Sequence, residues 1–191
     1  MSKFVEAHFV DELKINKNFI SGNVELALEE TFHKMDEMLL SANDELNQIR
    51  KKHHGGDGMS EENICHNAGC TANVLVFDDE NYWVANSGDS RSALCRAGKL
   101  VVLSEDHKPE SEIEKARIEK AGGMIMNGRV NGGLNLTRAI GTAQCNVGDF
   151  EYKSSTNLGY REQMITCHPD VKKVPRSPDD EYIIMGCDGI W

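Results

Sequence analysis

Basic charge is in short supply in this sequence. Its 191 residues hold 21 Lys and Arg against 31 Asp and Glu, a formal net charge of −10. Such a field repels polyanions, so nucleic acid is not an expected partner. Phosphate chemistry survives that exclusion, because a divalent cation held by carboxylates reverses the local sign. Long apolar runs are missing as well: no stretch approaches the roughly 18 residues that span a bilayer. The N-terminal "MSKFVEAHFVDEL" carries charges where a signal peptide needs its apolar segment. The expectation is a soluble chain, cytoplasmic or nuclear, with no membrane partner. No two of the cysteines at 65, 70, 95, 145, 167 and 187 form a C-x-x-C pair, so free thiols are expected. None is followed six positions later by arginine, as a thiol-dependent phosphatase requires. There is neither a G-x-x-x-x-G-K-[ST] loop nor a G-x-G-x-x-G turn, so nucleotide binding loses its usual support.

What is present falls into two periodicities. Between Asn23 and Arg50, apolar residues at 24, 28, 32, 35, 39, 46 and 49 keep to one face of a helix. The following polar, glycine-rich stretch, "KKHHGGDGMSEENICHNAG" (51–69), predicts an exposed loop. From Thr71 the period becomes two: "TANVLVF", "YWVANS", "SALCRA" and "LVVLS" predict consecutive antiparallel strands. Ser111 and Glu114 have capping-box spacing ahead of "EIEKARIEKA", and Gly122-Gly123 closes that helix. Short strands are expected at "MIM", "LNL" and "MITC", and the apolar run 182–185 predicts a last one. The fold class is α+β: one domain with an antiparallel sheet core and helices packed on its outside.

Candidate chemistry concentrates in "GCTA" (69–72), "ANSGDSR" (85–91), "SEDHKP" (104–109) and "CDGIW" (187–191). Three of these place an aspartate, Asp89, Asp106 or Asp188, at a predicted strand end. Carboxylates converging from separate strand ends are what a hard divalent cation requires. Each aspartate also has a plainer reading. Asp188 sits in an Asp-Gly turn pair, and Asp89 is expected to pair with Arg91 or cap its turn. His107 reads as a surface histidine beyond a strand. The group His53, His54, Cys65, His66 and Cys70 offers zinc donors, but its spacing matches no common finger.

Taken in order, "GCTANVLVF", "VANSGDSRSALCRAGK", "LSEDHKPESEIEKARIEKAGG", "RVNGGLNLTRAIG", "EQMITCHPDV" and "EYIIMGCDGIW" resemble the type-2C, PPM-type, metal-dependent serine/threonine protein phosphatases. The resemblance is dense over 69–141 and 149–191. It implies a central antiparallel β-sandwich flanked by helices, phosphorylated proteins as substrates, and two magnesium or manganese ions with a bridging water that attacks phosphorus. It assigns Asp188, in the "DG" motif, as a metal ligand, and Asp106, in "EDHKP", to a weaker third metal. The family's "RAIGD" is interrupted here: "RAIG" is followed by "TAQCNVG" and then "DFEYK". Reading Thr142–Gly148 as an insertion restores the register and makes Asp149 the third candidate metal ligand. The family's "DGHGG" motif and a downstream Asp-Asn motif are not found in these 191 residues. The expectation is therefore a partial domain, a segment of a longer phosphatase, with a non-hydrolysing binding module as the alternative.

Overall fold

The computed structural model describes residues 1–42, 45, 48, 69–141 and 158–191. The predicted loop up to residue 68, four of the five zinc-donor candidates, the proposed insertion 142–148 and Asp149 lie outside the described residues.

The chain opens with α1 (Ser2–Ile15), the short α2 (Lys17–Ile20) and α3 (Val24–Ser41). Helix α3 begins one residue after the predicted start. Helix α1 is an addition to the predicted elements; its Phe4, Val5, Phe9 and Leu13 hold one helical face and are all buried. Its partner stripe on α3 is Ala27, Leu28, Phe32, Met35 and Leu39, each 2% exposed or less. Phe9 meets Phe32 edge to face, with ring centroids 5.3 Å apart. Asn16 ends α1 and caps α2, accepting from the amides of Asn18 and Phe19.

The strands that follow are β1 (Gly69–Cys70), β2 (Ala72–Phe77), β3 (Asn81–Ser87), β4 (Arg91–Arg96), β5 (Lys99–Val102), β6 (Ile125–Met126), β7 (Arg129–Val130) and β8 (Ile140–Gly141). Helix α4 (Glu112–Lys120) lies between β5 and β6, and β9 (Asp170–Pro175) and β10 (Asp180–Gly186) come last. The consecutive strands do not form one sheet. Strands β2, β3 and β9 make the first sheet, and β10, β4 and β5 the second, so the chain crosses between sheets at Ser87–Ser90. Sequence periodicity could not reveal that crossing, because a strand pattern is the same whichever neighbour it pairs with.

Period-two alternation then sorts the side chains. Ala72, Val74, Val76, Trp83, Ala85 and Val171 pack toward α1 and α3. Leu75, Val84 and Val174 turn to the other face and meet Leu94, Val101 and Ile183 of the second sheet. The result is helices over a sandwich. On the second sheet's outer face, Leu100, Val102, Tyr182 and Ile184 are exposed. No helix among the described residues is long and apolar enough to cross a membrane.

Two short strands expected at "LNL" and "MITC" are not strands. Leu134 makes one bridge to Val130 and Thr166 one bridge to Arg138, because this stretch turns repeatedly to bury Leu134, Leu136, Met164 and Ile165 around Ile118. Strand β9 is a further addition, its lysines masking the alternation of Val171 and Val174. The predicted capping box also fails: Ser111 stands at the N-cap without a side-chain bond, and Glu114 points inward. Helix α3 is tied to the segment before β9 by hydrogen bonds from Tyr160 to Glu37 and from Arg161 to Glu29 and by a cluster of rings. The Nε2 of His33 lies 3.1 Å from Nδ1 of His168, and the Tyr160 ring stacks on His33 at 4.6 Å. Burial, Arg161 and His33 press the His168 imidazole down to about 4.

Candidate functional site

The crossing between sheets sets up the site. Gly88, at its centre, has φ +118°, and a Cβ there would lie 2.4 Å from Cγ2 of Thr71. Only glycine lets this turn press against β1–β2. Gly88 exchanges two hydrogen bonds with His107: its amide donates to Nδ1 (3.1 Å), and its carbonyl accepts the His107 amide (3.0 Å). Asn86 Nδ2 donates to the carbonyls of both Gly88 and Glu105. The "SGDS" and "SEDHK" segments are thus latched together, which orients Asp89 and Asp106 on one side of the molecule.

His107 is not the surface residue its position after a strand suggests; it is 3% exposed. Because Nδ1 accepts, the ring proton resides on Nε2, which donates to Asp170 at 3.0 Å. Asp170 accepts in turn from Arg138 at 2.7 Å. Arg138 continues to Glu114 (2.7 Å), which also accepts from Arg117 (2.7 Å) and Thr137. Burial works to raise the Glu114 carboxyl, but Arg138 and Arg117 more than offset it and bring it down to about 2. Asp170 is held well below the usual carboxylate range, chiefly by the hydrogen bond from His107 and then by Arg138. Burial works to lower the Arg138 guanidinium, but its partners Glu114 and Asp170 leave it above its ordinary value.

In front of this latch lies a cavity of about 330 Å³, lined among others by Thr71, Asp89, Ser90, Asn135, Cys187 and Asp188. Thr71 Oγ1 lies 3.0 Å from Ser90 Oγ, which donates to Cys187 Sγ at 3.2 Å. Asp188 follows β10 and is exposed; its turn folds back so that Trp191 Nε1 donates to the Gly186 carbonyl at 2.9 Å. Among the described residues, Cys70, Cys95, Cys167 and Cys187 form no disulfide with one another.

Of the sequence-predicted carboxylates, the described Asp89, Asp106 and Asp188 are brought to one region but not into one cluster. Asp188 and Asp89 line the cavity. Asp106 takes a two-pronged fork from Arg91, with Nε to Oδ1 and Nη2 to Oδ2 both 2.8 Å. Asp89 takes Lys108 rather than the expected Arg91. Among the described residues, no three His, Cys, Asp or Glu side chains converge closely enough to hold an ion. The donors have the oxygen chemistry that magnesium or manganese prefers, yet two of them are already engaged by cations of the same chain, so the set does not fit a metal as it stands. Sequence reasoning missed His107, Glu114, Asp170 and Arg138 as a connected group. They come from four separate segments, and no spacing rule joins them.

Over all of residues 1–191, the chain matches the family model for protein phosphatase 2C. It belongs to the protein phosphatase 2C family. Protein phosphatase 2C 1 of Paramecium tetraurelia is 48% identical over 193 residues, covering 100% of this chain and 59% of that protein. Probable protein phosphatase 2C 4 of the same organism is 47% identical over 191 residues, with the same 100% and 59% coverage. The chain therefore spans about three-fifths of the length of these protein phosphatase 2C relatives. Among solved structures, a sex-determining protein of Caenorhabditis elegans superposes with a TM-score of 0.71 at 24% identity, covering 99% of this chain and 40% of that one. That likeness bears on the fold alone and agrees with helices over antiparallel sheets.

Proposed function

We propose that this chain is the part of a protein phosphatase 2C domain that contributes Asp188, Asp106 and Asp149 to a metal-dependent hydrolysis of phosphoserine and phosphothreonine in proteins. The observation that carries this reading is the match of all 191 residues to the family, joined to a carboxylate-lined cavity at the end of β10. The family is metal-dependent, and magnesium or manganese is the proposed cofactor because the candidate donors are all carboxylates. Within the chain, the His107–Gly88 latch orients the two acid-bearing segments, and Asp188 lies at the cavity rim from a separate strand end. Phosphorylated proteins are the proposed partners. Binding without hydrolysis is not favoured, since the relatives found over the full chain carry phosphatase names.

Manganese-dependent release of phosphate from a phosphothreonine peptide tests the proposal, in the 191-residue chain and in a longer protein that contains it. Activity in at least the longer protein, falling by about a hundredfold or more in Asp188→Ala, is expected. Full activity in that variant would remove Asp188 from the chemistry.

A further inference from the structure

Two stretches far apart in sequence supply much of the cavity lining: Asp89 and Ser90 from one, Leu134, Asn135, Leu136 and Ala139 from the other. His107 joins them and has every polar group engaged. Its amide donates to the Gly88 carbonyl and its carbonyl accepts from the Thr137 amide, both at 3.0 Å. Its Nδ1 accepts from the Gly88 amide, and its Nε2 donates to Asp170. Gly88 directly precedes Asp89, and Thr137 directly follows Leu136, so one residue fastens both stretches. Asp170 repeats the connection with its side chain. It opens β9 beside Asn86, and its Oδ2 takes His107 at 3.0 Å while its Oδ1 takes Arg138 at 2.7 Å. Arg138 directly precedes Ala139, and its carbonyl lies 3.3 Å from where a Cβ of residue 88 would stand.

We infer that Asp170 is a positioning residue: its carboxylate bridges His107 and Arg138 and so holds the two cavity-lining stretches at a fixed spacing. This rests on the proposal that the cavity belongs to the phosphatase site. Asp170 does not line the cavity, so it acts only through the two side chains it binds. Three observations separate this role from that of a general structural ion pair. Two donors, one from each stretch, meet two oxygens, and only a carboxylate satisfies both; an amide has one acceptor oxygen and would turn its own N–H toward the second donor. Asp170 is also 62% exposed, and Arg138 keeps Glu114 and the His168 carbonyl when Asp170 is gone. No buried charge is then stranded, so global stability depends on Asp170 far less than on Glu114. Finally, His107 is 3% exposed and gives its Nε2 proton to Asp170. Without that carboxylate the ring can turn, the Gly88 amide loses a fixed acceptor, and the turn that carries Asp89 and Ser90 loosens.

The test compares wild type, Asp170→Ala, Asp170→Asn and Asp170→Glu in a longer protein that contains this chain, with circular dichroism to confirm that each is folded. Hydrogen exchange is followed by mass spectrometry in peptides covering residues 86–90 and 105–108. The urea midpoint is measured beside it, as are kcat and KM for manganese-dependent release of phosphate from a phosphothreonine peptide. In Asp170→Ala, exchange in those peptides should quicken by at least about tenfold, the change expected for losing one hydrogen bond to a charged group. The urea midpoint should stay close to that of wild type. The kcat should fall about tenfold with KM unchanged, because the walls lose their spacing and keep their side chains. Asp170→Asn should follow Asp170→Ala. Asp170→Glu, with both oxygens on a longer arm in an exposed place, should recover most of the protection and of the rate. Should Asp170→Ala not fold, the nearly isosteric Asp170→Asn carries the same readouts. Unchanged exchange in these two variants, or faster exchange with kcat unchanged, would overturn the positioning role while leaving the phosphatase reading intact. A urea midpoint that falls as far as in Glu114→Ala would overturn it too, by making Asp170 part of the general frame. No phosphate release by wild type would overturn the phosphatase reading and this role with it.

Discussion

Two sets of ion pairs lie on either side of the His107–Gly88 latch and behave as opposites. Behind the latch, Glu114 is 2% exposed and is ringed by Arg138 and Arg117 at 9% and 12%. On the more exposed rim formed by the SGDS and SEDHK segments, Arg91–Asp106 and Lys108–Asp89 join similar groups, but Arg91 is 51% and Lys108 31% exposed. Buried charges have already lost their hydration, so removing one partner strands the other in a medium that cannot solvate it. Rim charges can return to water at little loss. The buried set is therefore a fixed frame, whereas the more exposed set can exchange its partners for water.

The contrast is broken most severely at Glu114. Glu114→Ala should lower the unfolding free energy by about 3–5 kcal/mol, measured by urea denaturation; a loss below about 1 kcal/mol would mean that the network is not structural. Acid provides a second probe. Glu114 is depressed in the folded state from 4.5 to about 2, so its contribution is complete above the unfolded value and is lost as pH falls from about 4.5 through 2. That window is worth on the order of 3 kcal/mol. His168, depressed from 6.5 to about 4, takes up its proton first in the unfolded chain, so stability should begin to fall already between pH 6.5 and 4. Denaturant midpoints from neutral pH down to about 2 should show both stages, and His168→Gln should flatten only the first.

A smaller effect is expected at the latch that separates the two sets. Gly88→Ala places a Cβ against Thr71 at a backbone angle that favours glycine, which should reduce stability by about 1–3 kcal/mol. Amide exchange should quicken at Gly88 and His107, whose reciprocal bonds the added methyl would push apart. The smallest effect belongs to the rim: Arg91→Met should change stability by less than about 1 kcal/mol in the same urea assay. A larger loss would make Arg91 part of the frame and sharpen the contrast in the other direction.

Legibility in the sequence followed locality. The helix at 24–41, the strands β2 to β5 and β10, and the helix closed by Gly122 each carry their signal within one segment, as apolar periodicity or turn chemistry. The aspartates 89, 106 and 188 stand out for the same reason, each at a strand end. Errors arise where a residue's partner lies far along the chain. Ser111 and Glu114 have capping-box spacing, but three buried donors outcompete a solvent-exposed cap for the carboxylate. His107 follows a strand as a surface residue would, and is buried because Gly88 and Asp170 close over it.

By itself the sequence determined the longer strands and helices other than α1 and β9, that the chain is acidic, and that an ordered set of motifs joins it to the phosphatase 2C family. Those properties depend on neighbours within a few residues, or on the order of motifs, both of which survive in one dimension. Only the tertiary structure decided that β3 and β4 part into different sheets, that Glu114 and His107 are interior, and that Arg91 holds Asp106. Those outcomes are contests between distant groups for the same hydrogen bonds and the same charge. Such contests are resolved by burial and distance, which exist only once the chain has folded.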